Sequence, residues 1–347
     1  MASRSPARRW YRRKWFLWPV GTIVTVVLAG LVAVNVSPWP GTLLIRYVFE
    51  NGAAKTLAAM EKHAPEGVAS ITNQQYRPGD DDAYLDVYFP EGTDTQLPTV
   101  VWTHGGAWVS GHRTDQVPFF ELIAAEGYTV VSIGYSLGPE QTYPTAIHQI
   151  NDAHAYLVEN AERLHIDPER FVLGGSSAGA QLTSQMGALI TNPDFAADMG
   201  ITPSLRPEQV RGLILCAGIY DMEVFLERGD MIRGGILGWG VGTTIWAYTG
   251  SRSQDSEALD EMSTIDHVTA DYPPSFITGG NGDPLTDPQS RPLAARLEEL
   301  GVDTVPLFYP ADHEPSLPHE YQFNLDNDDG QNAFKEILAF VRDRTGD

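Results

Sequence analysis

The chain has 347 residues, 42 % of them hydrophobic, and a formal net charge of −22. That length allows one large core without demanding a second, and so acidic a balance speaks against nucleic acid as a partner, because phosphate contact needs a basic face. The lone cysteine, Cys216, excludes an internal disulfide, and with no cysteine pair and no His-Glu-x-x-His string nothing reads as a zinc site.

The amino-terminal stretch stands apart. Arg4, Arg8, Arg9, Arg12, Arg13 and Lys14 form a basic cluster, and no further charge occurs until Arg46. Residues 1–14 read as a basic cytoplasmic terminus and 15–37 as a transmembrane signal-anchor helix. At ~1.5 Å per residue, positions 16–36 cross ~30 Å of hydrocarbon. Trp10, Trp15, Trp18 and Trp39 border the stretch as an interfacial aromatic belt would. The positive-inside rule then leaves the rest of a single-pass membrane protein outside the cytoplasm. A cleaved signal peptide and a secreted product form the competing reading. The apolar stretch is long for that, and no clear Ala-x-Ala site follows it. The segment 1–14 contributes +6, so the remainder carries −28 against −22 for the whole. We read this as solubility through self-repulsion; it argues against lying flat on an anionic membrane.

Residues 38–68 read as a connector with a helical patch over 53–63, which either stands the next domain off the membrane or packs near its entrance. Two strands, 71–76 and 83–89, flank the turn Gly79-Asp80-Asp81-Asp82. Further strands are predicted at 99–103, 128–135, 170–174, 212–217, 275–278 and 304–309. Helical spacing runs through Ile150, Ala153, Leu157, Ala161 and Leu164, and Asp167-Pro168 is expected to stop that helix. Others are expected from Ala180 and over 332–344. Strands alternating with helices imply a mostly parallel sheet, and the leading hairpin adds an antiparallel edge. Cys216 falls in a strand and reads as a small core residue. Residues 222–262 interrupt the alternation. Their Gly-rich apolar middle, from Gly234 through Trp239 and Trp246, reads as a cap forming an acyl pocket, or else as a tightly packed buried helix pair.

Three segments carry chemistry. Gly175-Ser176-Ser177-Ala178-Gly179 reads G-x-S-x-G between a strand and a helix, the setting that lifts a central serine hydroxyl, here Ser177, out of a sheet as a nucleophile. Upstream, strand 99–103 ends in His104-Gly105-Gly106-Ala107-Trp108, where backbone N–H groups can stabilise an oxyanion. The N–H of Ala178 is the expected further donor. Downstream, Asp283 ends a strand, with Asp287 as its competitor, and His313 and His319 follow the next strand. The order serine, acid, histidine is that of α/β-hydrolases.

The chain resembles the hormone-sensitive-lipase-like branch of α/β-hydrolase carboxylesterases. The matching pieces are His104-Gly105-Gly106-Ala107-Trp108, Asp152 with Ala153, Ile166-Asp167-Pro168, Gly175 to Gly179, Asp283-Pro284-Leu285 and His319-Glu320-Tyr321-Gln322-Phe323. They cover roughly residues 70–345. Two positions depart from the pattern. Ala107 replaces the usual third glycine, and Ser176 replaces the usual acid before the nucleophile. The resemblance implies an α/β-hydrolase fold over 69–347: a mostly parallel mixed sheet flanked by helices, with the cap insertion at 222–262. It implies a Ser177, Asp283, His319 triad. His319 is favoured over His313 because Tyr321 and Phe323 follow it and the last helix begins soon after. Gly105, Gly106 and Ala178 would form the oxyanion hole. The partner is a small-molecule ester, and no metal or cofactor is needed. A peptidase or amidase on the same fold, or a non-catalytic binding module, are the other readings.

Overall fold

The computed structural model describes residues 10–231, 236–253 and 256–346. Arg4, Arg8 and Arg9 of the basic cluster and Gly234 of the cap lie outside the described residues, as do the side chains of residues 10–18. Among the described residues eight strands form one sheet: β1 (Val68–Gln75), β2 (Tyr84–Pro90), β3 (Leu97–Thr103), β4 (Thr129–Ile133), β5 (Ile166–Ser176), β6 (Val210–Cys216), β7 (Ser275–Gly279) and β8 (Thr304–Phe308). Their order is β1-β2-β4-β3-β5-β6-β7-β8. β1 and β4 each pair antiparallel with β2, and every other neighbouring pair is parallel. The central strands are buried on both faces, as their unbroken apolar runs require. Along β3, Val100 and Trp102 face a core with Phe119, Phe120 and Phe340, while Val101 joins Leu173, Leu213 and Ile277 on the other side. That is the two-residue alternation of a pleated strand. Cys216 is fully buried, and burial pushes its thiol well above the ordinary range.

Several boundaries moved for identifiable reasons. The helix expected to run to Leu164 spans Thr145–Glu159. Ala161 and Leu164 are buried from the turn that follows, so the apolar spacing outlasts the helix. Asp167-Pro168 does not end that helix but lies inside β5. There β3 advances from Leu97 to Thr99 while β5 advances from Ile166 to Phe171. This irregularity takes Pro168 out of the ladder, where its missing N–H costs nothing. The last helix starts early, at Asp328, because the Asn327 side chain accepts from the Gly330 N–H at 2.7 Å.

The connector is the largest correction. It is one continuous helix, Trp39–Met60, followed by a single turn, Glu61–His63. Buried Ile45 and Met60 hold it to the body. Only Ser37 and Pro38 separate it from a preceding helix, Trp10–Val36, which is apolar from Pro19 onward. The cap contains helices Met222–Met231, Ile236–Thr249 and Glu257–Met262. Gly41 of the connector helix packs on Trp239 and Thr243 of the second of these.

Candidate active site

β5 ends at Ser176 and a helix starts at Ala178, leaving Ser177 alone at the bend with φ 53° and ψ −123°. Few non-glycine residues hold a positive φ, and such strain at a strand-to-helix bend presents a side chain outward. The bend is held by the Ser177 N–H donating to the Cys216 carbonyl at 2.9 Å. Its flanking glycines are obligatory. A Cβ on Gly175 would sit 2.4 Å from the Gly179 oxygen, and one on Gly179 would sit 2.1 Å from the Thr103 oxygen. Ser176 is fully buried, and its hydroxyl has no hydrogen-bond partner among the described residues.

The loop after β3 turns through three positive-φ residues, Gly106 (109°), Ala107 (52°) and Trp108 (59°). Ala107 adopts the left-handed conformation despite its Cβ, at a cost of about 1–2 kcal/mol. Neither the Gly105 nor the Gly106 N–H has a protein acceptor among the described residues. Ala178 is the first residue of its helix, where backbone N–H groups lack an intrahelical partner. His104 is buried, its Nδ1 2.8 Å from the Gly105 carbonyl oxygen. Burial holds its imidazole down at about 4, so it stays neutral and donates to that carbonyl. Trp108 stacks on Tyr248 of the cap, with ring centroids 5.4 Å apart, and donates at 3.0 Å to Gln181 of the helix that starts at Ala178. The loop is thereby tied to both neighbours.

Asp283 follows β7 with its side chain fully buried. One oxygen accepts from the Leu285 N–H at 2.9 Å, and the other meets Nδ1 of His319 at 2.9 Å. The competitors lie elsewhere: Asp287 is exposed and paired with Arg291, and His313 pairs with Asp329 at 3.0 Å. Asn281 joins the two loops. Its amide donates to the His313 carbonyl at 2.9 Å, and its oxygen accepts from the Leu317 N–H at 2.8 Å. Burial pulls the His319 imidazole down, but the Asp283 hydrogen bond and charge, with the Glu320 carboxylate, outweigh it and leave His319 above its ordinary 6.5.

Ser177, Asp283, His319, Gly105 and Trp239 line one cavity of about 1360 Å³. A Cβ on Gly105 would stand 3.2 Å from the Ser177 Cβ and 3.1 Å from a Glu320 oxygen, so the loop glycine, the serine and the residue after His319 meet at one point. No hydrogen bond joins the Ser177 hydroxyl to His319 among the described residues; such contacts commonly tighten only when substrate binds. Trp246 is not on this cavity. It lies beneath Arg252, 3.7 Å away, and lines a second hollow with Val34, whose wall Trp239 shares with the cavity. Among the described residues no three His, Cys, Asp or Glu side chains converge to hold a metal ion.

Three contributors were not found by sequence reading. Glu320, with φ 57°, brings a carboxylate to the Gly105 end of the loop after β3. Only its place next to His319 hinted at this. Arg46 ties the connector helix to the Val109 and Gly138 carbonyls at 2.6 and 2.9 Å and to Glu140 at 2.6 Å. The signal was its isolation as the first charge after the apolar stretch. Asn281 left no sequence signal.

The sheet order and the bend at Ser177 define an α/β hydrolase. The BD-FAE family model matches residues 85–297, and the chain belongs to that family. It is 29 % identical over 249 residues to esterase LipQ of Mycobacterium tuberculosis (strain ATCC 25618 / H37Rv), covering 68 % of this chain and 55 % of LipQ, little more than half of that relative's length. It is 29 % identical over 243 residues to carboxylesterase NlhH of the same organism, covering 68 % of this chain and 70 % of NlhH. Esterase B of Lactobacillus rhamnosis, solved with an inhibitor, superposes with a TM-score of 0.75 at 21 % identity, over 88 % of this chain and 97 % of its own, and shows the same fold.

Proposed function

We propose that the chain is a membrane-anchored serine carboxylesterase hydrolysing short- to medium-chain acyl esters outside the cytoplasm. The observation that carries this reading is the 2.9 Å contact between His319 Nδ1 and the buried Asp283 carboxylate, on a cavity shared with Ser177. The names of LipQ and NlhH support the reaction class. The anchor is supported by Pro19–Val36, whose mean hydropathy is 2.1 and none of which is buried.

The mechanism follows from donor and acceptor roles. An ionised carboxylate only accepts, so Nδ1 carries the proton and Nε2 is the base. Ser177 Oγ attacks the ester carbonyl carbon as its proton passes to Nε2. Asp283 holds the imidazole and supports the imidazolium. The N–H groups of Gly105, Gly106 and Ala178 receive the oxyanion, a single such donor being worth about 3 kcal/mol of barrier. The imidazolium protonates the leaving alcohol, and water activated by the same imidazole then hydrolyses the acyl-enzyme.

The test is covalent labelling by a fluorophosphonate together with turnover of p-nitrophenyl butyrate. Both should occur in the parent and vanish in Ser177→Ala at unchanged thermal stability. Labelling elsewhere, or turnover retained by the variant, would refute the assignment. Amino-terminal sequencing of the mature protein tests the anchor, and a start near Ser37 would end that part of the proposal.

A further inference from the structure

The connector helix has an unpartnered apolar face. Its inner side packs through Gly41, Thr42 and Ile45. Trp39, Leu43, Leu44, Tyr47, Val48 and Phe49 are exposed, Leu43 at 57 % and Tyr47 at 67 %. Trp39, Leu43 and Tyr47 recur at four-residue spacing and form one stripe. Soluble surfaces rarely carry so contiguous a patch without a partner. Beyond Phe49 the exposed positions of this helix carry no large apolar side chain, only Glu50, Asn51, Lys55 and small Gly or Ala residues. The patch is therefore confined to about 15 Å of helix next to the apolar segment, from which only Ser37 and Pro38 separate it. Trp239 of the cap, also exposed, packs against the same helix at Gly41. Arg252 donates to the Val34 carbonyl at the end of the apolar helix. The neighbouring Leu44, Val48, Phe49 and Trp239 also line the cavity that holds Ser177.

We infer that this face beds into the outer surface of the bilayer, so that the cavity opens toward lipid and the enzyme takes acyl esters dissolved in the membrane. The inference rests on the anchored-esterase reading above and names its substrate class. Continuity with the apolar helix argues for lipid as the occupant. The stripe carries Trp and Tyr, the residues suited to an interface. The attraction is apolar, since the body carries −28 once the six amino-terminal cations are set aside from the −22 total. Neutral lipid should therefore serve as well as anionic lipid or better.

Cys216 is buried, so a thiol introduced on the surface is the one a dye reaches. Full-length Tyr47→Cys and Lys55→Cys, labelled and reconstituted in phosphatidylcholine vesicles, are compared. We expect the dye at 47 to be quenched by nitroxide-bearing acyl chains and the dye at 55 by aqueous iodide. Iodide access to both would overturn the docking. So would dye–dye transfer at 47 that grows with the protein-to-lipid ratio, because the occupant would then be a second copy. In a second arm Leu43→Glu/Tyr47→Glu, which changes no cavity-lining residue, should keep the parent rate on p-nitrophenyl butyrate. It should lose about tenfold on dioctanoylglycerol held in the vesicles, where delivery depends on the apolar face. Equal loss or no loss on both substrates would refute delivery from the membrane. A parent inactive on p-nitrophenyl butyrate would sink the esterase reading instead, while the quenching still reports on docking.

Discussion

Gly179→Ala probes how closely the two halves of the proposed oxyanion site must approach. The added Cβ would lie 2.1 Å from the Thr103 carbonyl oxygen and 2.4 Å from that of His104. Even weak C–H···O contacts keep about 3.3 Å or more, so the nucleophile helix and the end of β3 must part by about 1 Å. Both atoms met are backbone, and no side chain can swing aside. The helix side carries Ala178 and the strand side runs into Gly105 and Gly106. Their N–H groups must sit about 2.7–3.1 Å from the developing oxyanion, and a misplacement near 1 Å costs about 100-fold. We therefore expect kcat/KM on p-nitrophenyl butyrate to fall about 100-fold, the range also seen on losing one donor. The overpacking should cost about 1–3 kcal/mol, a thermal shift of about 2–4 °C per kcal/mol. Gly242→Ala is the control, since its added Cβ would meet nothing within 4 Å; it should be neutral or stabilising by up to about 1 kcal/mol. A Gly179→Ala enzyme within about threefold of the parent would refute the reasoning, because the required displacement would then not reach the donors.

Other outcomes follow from the same geometry. His319 is held above 6.5 by carboxylates that favour its protonated form, so kcat/KM should fall as pH drops through that raised value and the base becomes imidazolium. Glu320→Gln removes one of those carboxylates and should move this acid limb to lower pH; an unmoved limb would show that Glu320 does not act on His319. Asp283→Asn should lower kcat by about 10³–10⁴-fold, by analogy with the loss of a triad acid, whereas Asp287→Asn and His313→Ala should leave kcat within about twofold because each breaks only a peripheral pair. Trp239→Ala should change the preference among p-nitrophenyl esters of increasing chain length. Trp246→Ala, facing the second hollow, should lower stability with selectivity unchanged, and a selectivity change there would contradict the placement of that ring.

The legible part of the site was its local part. The elbow at Ser177 and the turn at Gly106 depend on residues adjacent in the chain, and the glycines, the β-rich run before them and the helix-compatible run after them are all written in order. The cap was legible as an interruption, but which of its tryptophans faces the cavity was not. Both are apolar residues on the same helix, and only the packing of Trp239 on Gly41 and of Trp246 beneath Arg252 separates them. The connector misled for a similar reason. Gly41 and Gly52 lower local helix propensity, while burial of Ile45 and Met60 and the Arg46 contacts, all made with distant residues, carry the helix through.

What the sequence by itself determined is the sheet class, the strand-to-helix bend at Ser177 and the apolar amino-terminal helix, because each follows from hydrophobic period or from backbone conformations only neighbouring residues decide. What tertiary structure decided is which acid meets which imidazole and what roofs the cavity. Asp283 stands on the loop after β7 and Asp287 on the helical turn Thr286–Ser290 that follows it, and His313 and His319 share the loop after β8. The choice falls to the parallel pairing of β7 with β8 and to the Asn281 hydrogen bonds that join those loops, interactions between segments whose proximity no local pattern encodes.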